Sequence, residues 1–287
     1  MKKTSLLFLL FCLGIYSGLS IAATTCYKKT DRTQAYTNGL SDLPRGTSCY
    51  AEPLTYQMKF YELQLCTSEP TAPTTSSTVD TTNCSPFLVS SSGSDVLIEY
   101  GKKNPISGTI TKPPNGTYTH FLVRVSNQLE FTASVDFGST NNLATSSDRY
   151  CVSQTGSETT RSNINAVCSS SETSTPGTTS TEKMYFGTND IDNVIRIHDD
   201  SLGRDYLLDS NQHLSSAATS AEADYVLRIK QFSSPKVITD KSTKFRLSTS
   251  SKKGMNVRLS RAGVAQMDIG PFSVLLDIEE SSASLIE

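Results

Sequence analysis

Alternation of apolar and polar positions recurs along much of the chain. Leu129, Phe131, Ala133, Val135 and Phe137 alternate with Glu130, Thr132, Ser134 and Asp136. A period of two puts the first set on one face and the second in water, which is the signature of a β-strand. Phe272, Val274, Leu276 and Ile278 repeat the pattern against Ser273 and Asp277, and Tyr225, Leu227 and Ile229 against Arg228 and Lys230. Phe121, Val123 and Val125 oppose His120 and Arg124, and Val96, Ile98 and Tyr100 alternate with Asp95 and Glu99. Five strands follow from this periodicity. A sixth, Leu54 to Cys66, changes phase: Tyr56, Met58 and Phe60 share one parity, and Tyr61, Leu63 and Leu65 continue on the other. Such a slip predicts either a β-bulge or a strand covered on both faces, in each case a central core strand.

Turn residues punctuate these runs. Pro113-Pro114-Asn115-Gly116 combines a fixed φ with residues that tolerate left-handed backbone, and it leads into Thr117-Tyr118. Ser126-Asn127 is read as a tight reversal, so that 106–137 would form a three-stranded antiparallel meander. Only Leu214 to Ala223 has a helix-compatible composition, and it is short. Thr67 to Ser94 and Gly138 to Thr181 are rich in Ser and Thr and poor in large apolar residues, so neither can bury enough surface to fold alone. Many short strands with almost no helix predict an all-β protein, an antiparallel β-sandwich with long, disulfide-clipped Ser/Thr-rich loops. The expected organisation is a signal peptide (1–22), an N-terminal disulfide-closed segment (23–53), the N-terminal half of the sandwich (54–138), a polar loop (139–182) and a C-terminal β half or second small β domain (183–287).

The first residues change the compartment. Met1-Lys2-Lys3 is followed by an apolar run from Leu6 to Leu19 and by Ser20-Ile21-Ala22, small at the two positions that a signal peptidase reads. The run of about 14 residues is shorter than the ~20 needed to cross a bilayer. A cleaved signal of bacterial type is therefore expected, with an extracytoplasmic product: periplasmic, at the cell surface or secreted. No later segment has the length and apolarity of a membrane span. Cleavage removes Lys2 and Lys3 and takes the formal charge from −2 to −4. A mildly acidic chain without a basic cluster argues against nucleic acid and against docking on anionic lipid.

Cysteine usage agrees with export. Cys12 lies in the signal, leaving Cys26, Cys49, Cys66, Cys84, Cys151 and Cys168. An even number outside the cytoplasm reads as disulfides. The six fall into three couples of near neighbours, Cys26–Cys49, Cys66–Cys84 and Cys151–Cys168, separated by polar, turn-forming residues. Loops of that size are worth about 3 kcal/mol each in the chain-entropy model. Their spacing lacks the close Cys-x-x-Cys pairs of a zinc site.

Candidate chemistry is sparse. His120, His198 and His213 are scattered, and nucleophile-elbow, zincin and phosphate-loop motifs are missing. Asp190, Asp192 and Asn193, with Asp199-Asp200 beyond a short apolar strand, present oxygen ligands at alternating positions. They are either a calcium site, the one cofactor the sequence suggests, or a solvated turn, since the glycine and terminal Glu of an EF-hand loop are lacking. Asn115-Gly116-Thr117 and Asn83-Cys84-Ser85 match the N-glycosylation pattern, which is discounted for a bacterial chain.

Two segments carry a resemblance. Tyr56 to Cys66, containing Glu62-Leu63-Gln64-Leu65-Cys66, then a Ser/Thr-rich gap and Asn83-Cys84, resembles secreted, cysteine-paired β-rich proteins of marine bacteria that have no known activity. Those proteins share an "ELxLC … C" opening and a "P-x-G-T-Y" strand start, here Pro114-Asn115-Gly116-Thr117-Tyr118; the likeness covers about 54–137. The second motif is also similar to prealbumin-like and carboxypeptidase-regulatory-like sandwich modules, which are binding or structural units. The expectation is an exported non-catalytic protein: a cell-surface, filament or adhesion subunit, or a ligand-binding sandwich, not an enzyme. Its partners would be further copies of itself, a surface glycan or another protein. The alternative is a secreted polysaccharide hydrolase working through two carboxylates, a geometry that sequence does not reveal.

Overall fold

The computed structural model describes residues 26, 43–99, 106–137, 143, 148–155, 157–158, 164–172, 177, 179–183, 194–196, 203–215, 223–270 and 272–280. Among them the regular structure is all strand. In chain order the strands are β1 (Thr47–Ala51), β2 (Thr55–Cys66), β3 (Cys84–Glu99), β4 (Thr109–Ile110), β5 (Gly116–Thr132), β6 (Ser134–Asp136), β7 (Tyr150–Val152), β8 (Ser157–Glu158) and β9 (Ile164–Asn165). They continue as β10 (Val167–Ser169), β11 (Ser180–Lys183), β12 (Val194–Arg196), β13 (Gly203–Leu208), β14 (Tyr225–Ile238), β15 (Ser242–Ser250), β16 (Met255–Leu259), β17 (Ala265–Ile269) and β18 (Ser273–Glu280).

Nine strands form the main sheet, in the order β12-β13-β14-β5-β2-β3-β4, with β11 on β5 and β8 on β11. A four-stranded sheet runs β1-β16-β17-β9, a three-stranded one β10-β7-β6, and β15 and β18 make a two-stranded ribbon. Ladders are antiparallel except for the short β8–β11 pair. The smaller sheets cover one face of the large one. Tyr56, Met58, Phe60, Leu63 and Leu65 of β2 share a continuous core with Met255, Val257 and Leu259 of β16, Met267 of β17, Val135 of β6, and Val274 and Leu276 of β18. Across that core the Tyr56 hydroxyl donates to the Gly270 carbonyl (3.2 Å). The result is an antiparallel β-sandwich.

The phase slip in β2 is a bulge. Its register with both β3 and β5 shifts between Phe60 and Glu62. Phe60 and Leu63 are consequently both in the core, and the two residues between them, Tyr61 and Glu62, both face the other side. β2 lies between β3 and β5, as a central core strand should.

Alternation puts Ser134, Asp136 and Arg228 in water, but all three are buried, at 1%, 6% and 3% exposure, the two charged ones held by ion pairs with Arg149 and Asp205. Other expectations are also corrected. Ser126-Asn127 is not a reversal: β5 is a single strand from Gly116 to Thr132, and no meander forms. Phe121, Val123, Val125, Leu129 and Phe131 have the same parity, so Asn127 simply occupies the next inward position. Its polar groups are satisfied there, its N–H by the Asp224 carbonyl (2.8 Å) and its side-chain amide by that of Ala223 (3.2 Å). A buried amide that finds carbonyl partners is tolerated mid-strand. The polar stretch Thr67 to Ser94 is a loop only as far as Asn83, because β3 begins at Cys84 and buries Phe87 and Leu88. Within the Ser/Thr-rich 139–182 region the structure places β7 to β10 and most of β11. Backbone pairing compensates for missing apolar side chains there: the Ser153 N–H donates to Ala133 O, and the Ala133 N–H to Ser153 Oγ, both at 2.9 Å. Of the helix-compatible stretch, Leu214 bridges to Leu208, and 216–222 lie outside the described residues.

Candidate functional site

The six cysteines form Cys26–Cys49, Cys66–Cys84 and Cys151–Cys168, the three local couples. The last two join residues directly opposite each other on antiparallel neighbours, Cys66 with Cys84 across β2–β3 and Cys168 with Cys151 across β10–β7. The loop closed by Cys66–Cys84 folds over the outer face of the large sheet. Its Ala72 and Val79 cover a second, smaller core of Leu122, Tyr206, Leu208, Leu227 and Ile229.

Beside that core, on the same outer face, lies a cluster of polar and aromatic side chains. Neighbouring strands β14, β5 and β2 present Tyr225, Arg124 and the bulge pair Tyr61-Glu62. The Arg124 Nε donates to Glu62 Oε1 at 3.0 Å. Its guanidinium stands 5.2 Å from the Tyr61 ring centre and 5.0 Å from that of Tyr225. The two rings meet edge to face at 5.2 Å. Gly93 of β3 makes this possible: a Cβ there would come within 3.0 Å of Tyr61 and 2.5 Å of Lys59, and its φ of +79° suits glycine alone. Gln64 donates to the other Glu62 oxygen (3.4 Å), and Lys59 reaches Asp95 at 3.9 Å. Burial raises the Tyr61 phenol pKa, the neighbouring Tyr225 adds to this and Arg124 opposes it. The arrangement is a flat, half-buried patch that offers ring faces and hydrogen-bonding groups for contact.

Two other strand carboxylates, Asp205 and Asp136, are engaged by arginines. Asp205 holds Arg228 in a two-pronged contact at 2.8 and 2.9 Å inside the sandwich, with the second guanidinium edge on the Phe272 carbonyl. Asp136 holds Arg149 in the same way at 2.8 and 2.7 Å. A carboxylate with both oxygens taken by a guanidinium is occupied, which suits structure better than proton donation to a leaving group.

His120 is half-buried on the outer face of β5, with Nδ1 2.9 Å from the Thr119 hydroxyl. Burial lowers its pKa, and Glu69 of the clipped loop works against the shift. The backbone N–H of His213 donates to Asp209 in a turn. Asn115 donates to Asp240 (2.7 Å). His198 and the proposed calcium ligands Asp190, Asp192 and Asn193 lie outside the described residues. Among the described residues no group of His, Cys, Asp and Glu is placed to hold a metal, and no helix is long and apolar enough to cross a membrane. The Arg124 patch escaped the sequence reading. Its signal was present in the phase slip, which turns two consecutive large residues toward the same face.

Fold and site together define an all-β, disulfide-bonded sandwich. The chain matches no protein-family model, no curated protein and no solved structure.

Proposed function

We propose that the protein is exported and acts without catalysis, as a structural or binding component of a bacterial cell envelope or its surroundings. The observation that carries this reading is the set of three disulfides, which belong in an oxidising compartment. Two of them lie between strands and fasten the polar loops of the sandwich. Three supports accompany it: the signal-like first 22 residues, the resemblance to secreted β-rich proteins of marine bacteria, and the engagement of Glu62, Asp136 and Asp205 by arginines. Flat contact through the outer patch, with a glycan or a protein surface, agrees with the half-buried tyrosine rings around Arg124.

Fractionation of cells producing the full chain tests this. The expected result is a shortened chain, lacking its first residues, outside the cytoplasm and with no thiol that reacts with a maleimide before reduction. Full-length protein in the cytoplasm with reactive cysteines would overturn the reading.

A further inference from the structure

We infer that the protein pairs with a second copy of itself through β18, edge to edge and antiparallel, with Leu275 opposite its own counterpart. Among the described residues β18 pairs with β15 alone, so its other side is an open strand edge. An open edge offers a row of backbone donors and acceptors to another strand. The strand also carries an unusual side chain for such a place. Leu275 is 56% exposed, whereas its neighbours Val274 and Leu276 are buried in the core. Asp277, two residues on, is exposed, and Ser273, two residues back, is half-buried.

These positions are self-complementary in one register. Opposite residues of an antiparallel pair share a face. Setting Leu275 against Leu275 of the second copy therefore sets Ser273 against Asp277, and Asp277 against Ser273. On the solvent face each leucine then covers the other, and each carboxylate meets a hydroxyl that donates to it. On the core face Val274 meets Leu276 and Phe272 meets Ile278, extending the apolar layer across the contact. No like charges stand opposite one another. Moving the register by two residues either way takes Leu275 off its counterpart and sets it against Ser273 or Asp277, so the contact is specified. Within each copy Asp277 lies opposite Arg246 of β15, and its Oδ1 accepts the Ile278 N–H (3.1 Å), leaving Oδ2 for the partner's hydroxyl. The product is a four-stranded β15-β18-β18-β15 sheet with two-fold symmetry, a closed assembly.

The partner fits the proposed function by making self-association part of a structural role, and it rests on that reading only in this respect. Export is tested by fractionation and the pairing by sedimentation of purified, disulfide-intact protein, so either can fail alone. The expected result is a reversible dimer. Leu275→Lys, at an exposed position, should weaken it at least about tenfold by placing two cations face to face, while the thermal melt of the monomer is kept. Ser273→Lys should tighten the dimer by facing Asp277, and Ser273→Asp should weaken it. A chain that remains monomeric up to about 1 mM overturns the inference. So does a dimer indifferent to Leu275→Lys, or one that responds to the two Ser273 variants in the same direction.

Discussion

Arg228 and Arg124 each face a carboxylate across neighbouring strands of the same sheet, but on opposite faces. Arg228 lies directly opposite Asp205, and Arg124 opposite Glu62. Inside the sandwich the side chains of Arg228 and Asp205 are 4% and 3% exposed; outside, those of Arg124 and Glu62 are 15% and 16% exposed. The inner pair is closed by geometry, with two parallel hydrogen bonds, a third to the Phe272 carbonyl and the Phe272 ring 4.5 Å from the guanidinium. The outer pair has one hydrogen bond and is completed by two tyrosine rings. The same ion pair is thus used in two ways. The inner one fixes how the β15–β18 ribbon sits on the large sheet, since it reaches Phe272, the residue just before β18. The outer one organises a surface of half-buried tyrosine rings.

The sharpest way to break this contrast is Arg228→Ala. It strands a buried carboxylate, and the expected loss is about 3–5 kcal/mol in denaturant unfolding with the disulfides intact. The double change Asp205→Leu with Arg228→Met should recover most of it, because the cost comes from an unpaired charge and not from the absence of a salt bridge. If the double variant is as unstable as the single one, packing at Phe272 is responsible instead. On the outer face, Glu62→Gln should cost about 1 kcal/mol, since Arg124 keeps both rings and partial access to water. A loss equal to that of Arg228→Ala would erase the difference between the two faces.

The smallest effect is one of pH. Burial raises the phenol pKa of Tyr61 and of Tyr206, both on the outer face. The folded chain therefore resists their ionisation more than the unfolded chain does. Their contribution is fully present below the ordinary tyrosine pKa of 10.0 and is lost as pH rises through the higher folded values. Midpoints of unfolding should fall above pH 10, and the slope should be shallower in a Tyr61→Phe, Tyr206→Phe variant. An unchanged slope would assign the alkaline loss to other groups.

Much of this architecture is legible in the alternation of residues. β2, β5 and β18 carry it clearly, and the slip at Phe60-Tyr61 marks the bulge that builds the outer patch; β14 is legible as a strand, but its faces are reversed, with Arg228 inside the sandwich and Leu227 and Ile229 outside. Asn127 misleads because an Asn next to Ser ordinarily signals a turn. Its neighbours keep their parity, and two distant carbonyls supply what a turn would have supplied. The short strands between 139 and 182 give no apolar signal because they are held by backbone pairing and a disulfide. Arg124 itself is legible only as an outward residue. That two tyrosines, one from a strand about 100 residues further on, would converge on it depends on sheet order, which periodicity does not encode.

The pairing of β1 with β16 bears on how the chain acquires its structure. Thr47 aligns with Leu259, roughly 200 residues later in the chain, so this ladder is among the most non-local in the molecule. A chain made or threaded from its N-terminus presents β1 long before its partner arrives. During that interval Cys26–Cys49 can close without any distant residue, and it anchors the strand locally. The small sheet then closes last, around β16 and β17. The protein should consequently fold slowly and in one late cooperative step, and a holding factor that shields β1 in the meantime would accelerate its maturation more than a catalyst of disulfide exchange.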